Sequence, residues 1–403
     1  MVNSSTMTLI VIVMAIYFIG MIAISWMGRK YGKNFDDFIS AGRNCTTLMI
    51  IGSAVGSHIG NGYVVGGAAS GAAVGLSGAW YGIGCALCYL VVALILNHRV
   101  YKCGYISLPE ILNARYGEKM TSVIFSVTTA LSYIANIAAQ LMAGKALFEA
   151  LGFNGTLGVW VIAVVVMAYS CISGLWGACA TSVVQVAIII VSLLATFFIV
   201  LGRGAFGLVT EAVANGLAPA SYFDMGADGI AAILITIVPI SLASLCEQCT
   251  VQRITSAKSE KTSFRALILS VVIMIPCALM PAFIGMYGYV LFGDTTNSVF
   301  FKVALDVLPS FFAALLIAAV VAAIMSTIDT MFVAFSTIIM HNIYRGMINP
   351  DASEGTLKKG DFACHLFLTV GAAVIALQFS SILDLLGAMY RFCAACCFAP
   401  FIG

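Results

Sequence analysis

Charge is scarce in this chain. Its 403 residues include 19 Lys and Arg and 17 Asp and Glu, 9% of the sequence, where an ordinary soluble domain carries about 25%. So few charges could not cover a soluble surface when 62% of the residues are hydrophobic. That hydrophobic fraction also excludes a disordered chain. The net charge is +2 and no basic domain stands out, so no nucleic-acid partner is expected. No nucleotide-binding loop is present, and no apolar segment carries a nucleophile beside a positioned base, so an enzyme is not expected. The first apolar run is too long for a signal peptide, and no Lys or Arg precedes it. Most of the 13 cysteines lie in apolar runs, where a thiol behaves as a small hydrophobe. Cys246 and Cys249 have CxxC spacing without a second pair, which argues against a metal site.

What remains is an all-α polytopic protein in a lipid bilayer. A crossing helix needs about 20 apolar residues, and eleven segments qualify: 7–27, 46–70, 73–97, 120–146, 157–175, 180–202, 229–250, 265–292, 308–344, 362–381 and 383–403. Cations set the orientation. With the N-terminus outside, the inner loops hold Arg29, Lys30, Lys33, Arg43, Arg99, Lys102, Arg115, Lys119, Arg253, Lys258, Lys261, Arg265, Arg345, Lys358 and Lys359. The outer loops hold only Lys145, Arg203 and Lys302, and Arg391 falls inside the last span. This asymmetry predicts a multi-pass plasma (inner) membrane protein with its N-terminus outside. The final segment ends in APFIG without a polar tail, so the chain is expected to stop within its eleventh span.

Two segments cannot be regular helices. Residues 46–70 and their continuation contain Gly52, Gly56, Gly60, Gly62, Gly66, Gly67, Gly71 and Gly75, and each Gly destabilises a helix interior by about 0.8–1 kcal/mol relative to Ala. The spacing of Gly52, Gly56 and Gly60 fits close helix packing. The nearby Ser53, Ser57, His58 and Asn61 fit an unwound stretch facing a cavity, the setting in which freed backbone is tolerated at membrane depth. In 229–250, Pro239 removes a helix hydrogen bond and is followed by Ser241, Ser244, Glu247 and Gln248. These two segments lead two five-helix sets, 46–202 and 229–403, with 1–45 outside both. Interrupted segments at matching positions of two halves point to a transporter's binding site. An odd number of helices per set makes the two sets an inverted repeat.

Five stretches resemble the sodium/solute symporter family: FISAGRN (38–44), GYISLPEILNARYG (104–117), SGLWGACATSVVQ (173–185), EQCTVQRITSAKS (247–259) and AAIMSTIDTMFVAFSTIIMHNIYR (322–345). The resemblance spans nearly the whole chain. It implies a LeuT-type fold of two inverted five-helix repeats, with one extra N-terminal helix here, and sodium-driven import of a small-molecule solute by alternating access. A related class fuses the same module to a C-terminal signalling kinase, which leaves a sensor as the alternative.

The family's common sodium site maps onto the carbonyls of Gly56, Ile59 and Ala323 and the hydroxyls of Ser326 and Thr327, an oxygen set suited to a hard cation. Its second sodium site maps onto Ser182, where the family usually has Asp, and onto Ser326, Asp329 and Thr330. The carboxylate missing at 182 is thus replaced by one at 329. The alternative for Asp329 is pairing with Arg391. The substrate pocket is expected beside the unwound stretch, lined by Ser57, Asn61, Tyr63, Tyr133, Asn136 and Gln140, with Arg391 offered to a carboxylate. Sugar-transporting relatives carry His, Glu and Gln where this chain has Tyr63, Ala79 and Gly387, which argues against a hexose. The sialic-acid branch uses an Arg within 120–146, and this chain has none there. A small amino acid or a monocarboxylate is the expected solute.

Overall fold

A computed structural model describes residues 4–32, 34–117, 119–171 and 174–402; Lys33, Ser173 and Gly403 of the stretches above lie outside the described residues. The chain is helical from end to end. Helix α1 is Ser4–Gly28. The expected 46–70 segment is two helices, α2 (Thr47–His58) and α3 (Asn61–Val74), separated at Ile59 and Gly60. Next comes α4 (Trp80–Val91), which runs on to Cys103 through a widened turn. Helices α5 (Lys119–Ala150), α6 (Gly155–Ser170) and α7 (Gly174–Gly202) complete the first half.

The second half also opens with a broken pair, α8 (Gly229–Leu245) and α9 (Gln248–Thr255), bent by 54°. Helices α10 (Glu260–Phe292), α11 (Ser310–Ser336, extended to Ile348), α12 (Glu354–Ala376) and α13 (Ile382–Ile402) follow. Among the described residues, seven helices are long and apolar enough to cross a membrane, and the bent pair makes eight. Of the other expected spans, 46–70 is divided at Ile59 and Gly60, 157–175 is met by the shorter α6, 73–97 shares one apolar stretch with α3, and 383–403 is met by α13. Short helices at Phe35–Ser40, Leu108–Tyr116, Ala205–Ala214 and Ser298–Lys302 lie outside the expected segments.

Local chemistry sets the ends. Thr46 accepts the Met49 N–H at the start of α2, and Ser259 accepts the Thr262 N–H at the start of α10, satisfying donors that a helix leaves open. Packing then orders the helices. A Cβ on Gly285 of α10 would lie 1.8 Å from the Ala68 carbonyl oxygen of α3, so only glycine lets these two backbones meet. The glycines of the first broken segment therefore serve both readings: they break the helix at Gly60 and pack it elsewhere. Helix α11 forms the centre, with 83% of its apolar stretch buried, whereas α1 has 17% and leans on α7 and α11 from outside.

Candidate functional site

The first break places backbone oxygens against α11. Beyond Ser57 the chain leaves helical geometry at Ile59 (φ −74°, ψ 49°), where α2 ends. Ser326 Oγ donates to the Gly56 carbonyl at 2.7 Å and also reaches the Ala323 carbonyl at 3.2 Å. Thr327 Oγ1 lies 2.9 Å from the Ala323 carbonyl and 3.4 Å from those of Gly56 and Ser57. Four of the five expected sodium oxygens thus converge across two helices. Ile59 is buried at the break itself, and no side-chain hydrogen bond joins its carbonyl to this group among the described residues. The set is neutral and wholly of hard oxygens, which suits a monovalent hard cation. Gly60 leaves room here: a Cβ would lie 2.9 Å from both Thr327 Oγ1 and Gln140 Oε1 and would force those side chains to shift.

Gln140 finishes the break from a third helix. Its Oε1 accepts the Asn61 N–H at 3.0 Å, capping α3 from outside, and its Nε2 donates to Asn136 Oδ1 at 3.3 Å. Asn61, Asn136 and Gln140 are therefore brought together as expected. Tyr63 is not with them. Its ring packs against Gly82 and its hydroxyl donates to the Met274 carbonyl, so a pocket-lining role is corrected to a packing one. Ser57 also turns elsewhere: it donates to the Ser53 carbonyl at 2.5 Å and accepts from Arg253.

Arg253 is the residue that sequence reasoning misplaced. It was counted with the inner-loop cations, yet it is 2% exposed. Its guanidinium donates to Ser53 Oγ at 3.2 Å, to Tyr89 Oη at 3.1 Å and to Ser57 Oγ. The Tyr89 hydroxyl in turn meets His58 Nδ1 at 2.7 Å. A rigid fork of donors meets three hydroxyls at once, so α9 of one broken pair is tied to α2 of the other. The QR pair inside the 247–259 motif was the available signal; nothing in its spacing says that the arginine points inward.

Two cavities flank the second break. The outer one, about 260 Å³, is lined by Trp80, Tyr81, Asp228, Asp384, Tyr390 and Arg391 among others. Arg391 is exposed there, which corrects the expectation of a deeply buried cation; the cavity supplies its solvent. The inner one, about 20 Å³, is lined by Thr129, Ser132, Tyr133, Asn136, Glu247 and Tyr390, with apolar neighbours. Tyr390 belongs to both walls, and its ring lies 6.4 Å from that of Tyr81. Tyr133 faces the inner cavity and accepts the Cys249 N–H at 3.3 Å.

At the expected second cation site the groups face different neighbours. Ser182 Oγ donates to the Ala178 carbonyl at 2.7 Å and Thr330 Oγ1 to the Thr327 carbonyl at 3.0 Å, both back along their own helices. Asp329 is 1% exposed and accepts from Ser170 Oγ at the end of α6, with Tyr17 of α1 within electrostatic range. Arg391 opens instead on the outer cavity with Asp228 and Asp384.

The side of the basic loops is closed by polar contacts. Glu110 sits in a capping box with Ser107 and meets His341 Nε2 at 2.6 Å, and Arg345 pairs with Asp36. Burial alone would raise the Glu110 carboxyl, but the His341 contact and the N–H groups of Ile106 and Ser107 hold it below the usual carboxylate range.

Comparison with known proteins shows the family and the fold. The model of the Sodium:solute symporter family matches residues 38–402. The sodium/proline symporter of Escherichia coli (strain K12) is 24% identical over 369 residues, which cover 87% of this chain and 73% of that protein. Sodium/glucose cotransporter 1 of Oryctolagus cuniculus is 24% identical over 404 residues, covering 88% of this chain and 61% of that protein. A solved substrate-bound, outward-open sodium-coupled sialic acid symporter superposes with a TM-score of 0.81 at 18% identity, covering 95% of this chain and 84% of that one.

Proposed function

The chain belongs to the sodium:solute symporter family, and from that premise we propose that it binds sodium at the first break and imports a small amino acid or monocarboxylate with it. It is a multi-pass membrane transporter of LeuT-like fold, not an enzyme, and it couples a solute to sodium. The observation that carries the site is the convergence of the Gly56 and Ala323 carbonyls with the Ser326 and Thr327 hydroxyls. When sodium enters, the two hydroxyls turn their lone pairs to the ion in place of donating, and the Ile59 carbonyl completes the shell. The ion then bridges α2 and α11, one from each proposed repeat (46–202 and 229–403). Its departure loosens that bridge. The gradient drives the cycle, with about 2.3 kcal/mol per charge per 100 mV from the membrane potential.

With the N-terminus outside, the 260 Å³ cavity faces outward and the Arg253 and Glu110 contacts seal the inner side. The solute passes Tyr390 to the inner cavity, near Asn61, Asn136 and Gln140. The proline symporters among the relatives support an amino acid; Tyr63, Ala79 and Gly387 stand where sugar transporters carry polar groups. A second cation near Asp329, Thr330 and Ser182, its charge moved from 182 to 329, requires these groups to turn from their present partners Ser170, Thr327 and Ala178 toward one another. The test is uptake into proteoliposomes under an inward sodium gradient, screened over amino acids and short carboxylates. Uptake that ignores sodium would overturn the reading.

A further inference from the structure

We propose that the transported solute carries a positively charged amino group and that Glu247 is its recognition residue. The inference rests on the symport reading above and narrows it: an amine-bearing solute is selected and a simple monocarboxylate is not. Glu247 occupies the interruption between α8 and α9 in extended geometry (φ −92°, ψ 128°), with Gln248 starting the next helix. Its side chain lines the inner cavity with Thr129, Ser132, Tyr133, Asn136 and Tyr390. A carboxylate at membrane depth is expensive and is held for a cation or a partner.

The internal candidate for that partner is Arg253. It acts on Glu247 electrostatically, yet its hydrogen bonds go to Ser53, Ser57 and Tyr89, and none joins it to Glu247 among the described residues. Arg253 therefore spends its donors on the first broken helix and leaves the Glu247 face on the cavity available.

The other groups on the cavity are also suited to a donor-rich cation. Thr129 Oγ1 is buried without a hydrogen-bond partner. Ser132 Oγ spends its proton on the Thr128 carbonyl at 3.0 Å, so only lone pairs remain to it. Asn136 presents its Oδ1, which accepts from Gln140. An ammonium has three donors and no acceptor, and the rings of Tyr133 and Tyr390 offer faces that attract a cation. Size agrees as well. The cavity of about 20 Å³ holds about one water-sized group, which an ammonium head matches. A solute carboxylate there would meet a like charge.

The test uses the purified full chain in proteoliposomes, offered labelled amino acids, primary amines and short monocarboxylates under a sodium gradient. Every solute taken up should bear an amine. Glu247→Gln should weaken its apparent affinity by about tenfold or more, the scale of a lost charge-assisted hydrogen bond, while Glu247→Asp retains part of it. Stabilisation of the purified protein by sodium should survive in Glu247→Gln, showing a folded variant with its cation site intact. Sodium-driven uptake of a solute without an amine, or unchanged affinity in Glu247→Gln, would overturn the proposal and leave the symport reading standing. Absence of any sodium-driven uptake would instead overturn the symport reading, and this proposal with it.

Discussion

The two broken helices are built alike and furnished differently. At the first break, Gly60 lets the chain unwind beside Thr327 and Gln140, and the groups presented are neutral dipoles: the Gly56 carbonyl, the Ser326 and Thr327 hydroxyls and the Asn61 N–H. At the second, an acidic side chain, Glu247, lines a cavity at the interruption and a buried guanidinium follows at Arg253. Neutral oxygens can strip the water from a small cation and release it again, since no fixed countercharge traps it. A fixed charge discriminates between solutes by sign. Under the proposed function, the first break is therefore suited to the coupling ion and the second to the cargo. Arg253, reaching from the second to Ser53 and Ser57 of the first, is what makes the two breaks one device.

The contrast is most easily broken at that link. Arg253→Gln removes donors to three buried hydroxyls at once, a loss on the scale of roughly 3 kcal/mol, or about 100-fold in uptake. Arg253→Lys should recover only part, because an ammonium cannot fork to three partners in one plane. Initial uptake rates at saturating sodium decide this, and a rate within a few fold of wild type in Arg253→Gln would separate the two breaks.

A smaller and more selective effect is expected at the neutral break. Ser326→Ala or Thr327→Ala should raise the sodium concentration for half-maximal uptake by about tenfold, the scale of one lost oxygen ligand. Sodium activation curves check it, and unchanged curves in both variants would remove sodium from this site.

Asp329 tests whether charge also enters the coupling side. Asp329→Ser should lower the sodium Hill coefficient, and adding Ser182→Asp should restore it. A wild-type coefficient of one with a single charge moved per cycle would confine the ion to the neutral oxygens.

The smallest effect is expected far from both breaks, at Glu110. Its folded-state value is depressed, so its contribution to stability is present above the ordinary carboxylate range near pH 4.3 and is lost as pH falls through the folded value. Glu110→Gln should therefore melt a few degrees lower at neutral pH, with the gap to wild type closing on acidification. A thermal-shift series over pH measures both.

Much of this was legible in one dimension because apolar length and glycine or proline interruptions act locally. A stretch such as 120–146 or 265–292 has too many apolar residues to be anything but a span, and the glycines around Gly60 and the proline at 239 mark where a helix fails. Ser326 and Thr327, too, were legible as an adjacent pair of hydroxyls, and both reach the Gly56 carbonyl. Direction was not. Tyr63 and Asn61 are two residues apart, yet Asn61 meets Gln140 and Tyr63 meets the Met274 carbonyl, because successive residues of a helix point about 100° apart and the neighbours on each side come from distant sequence. Arg391 and Arg253 exchanged their expected places for the same reason.

The sequence by itself determined that the chain lives in a membrane, that it is helical, and where its helices must break, since hydropathy and backbone propensity are properties of short segments. Only the tertiary structure decided which breaks face each other, that Arg253 spans them and that Glu247 looks onto a cavity. Those facts depend on helix rotation and on contacts between residues about 200 apart, such as Arg253 and Ser53, which no local property of the chain records.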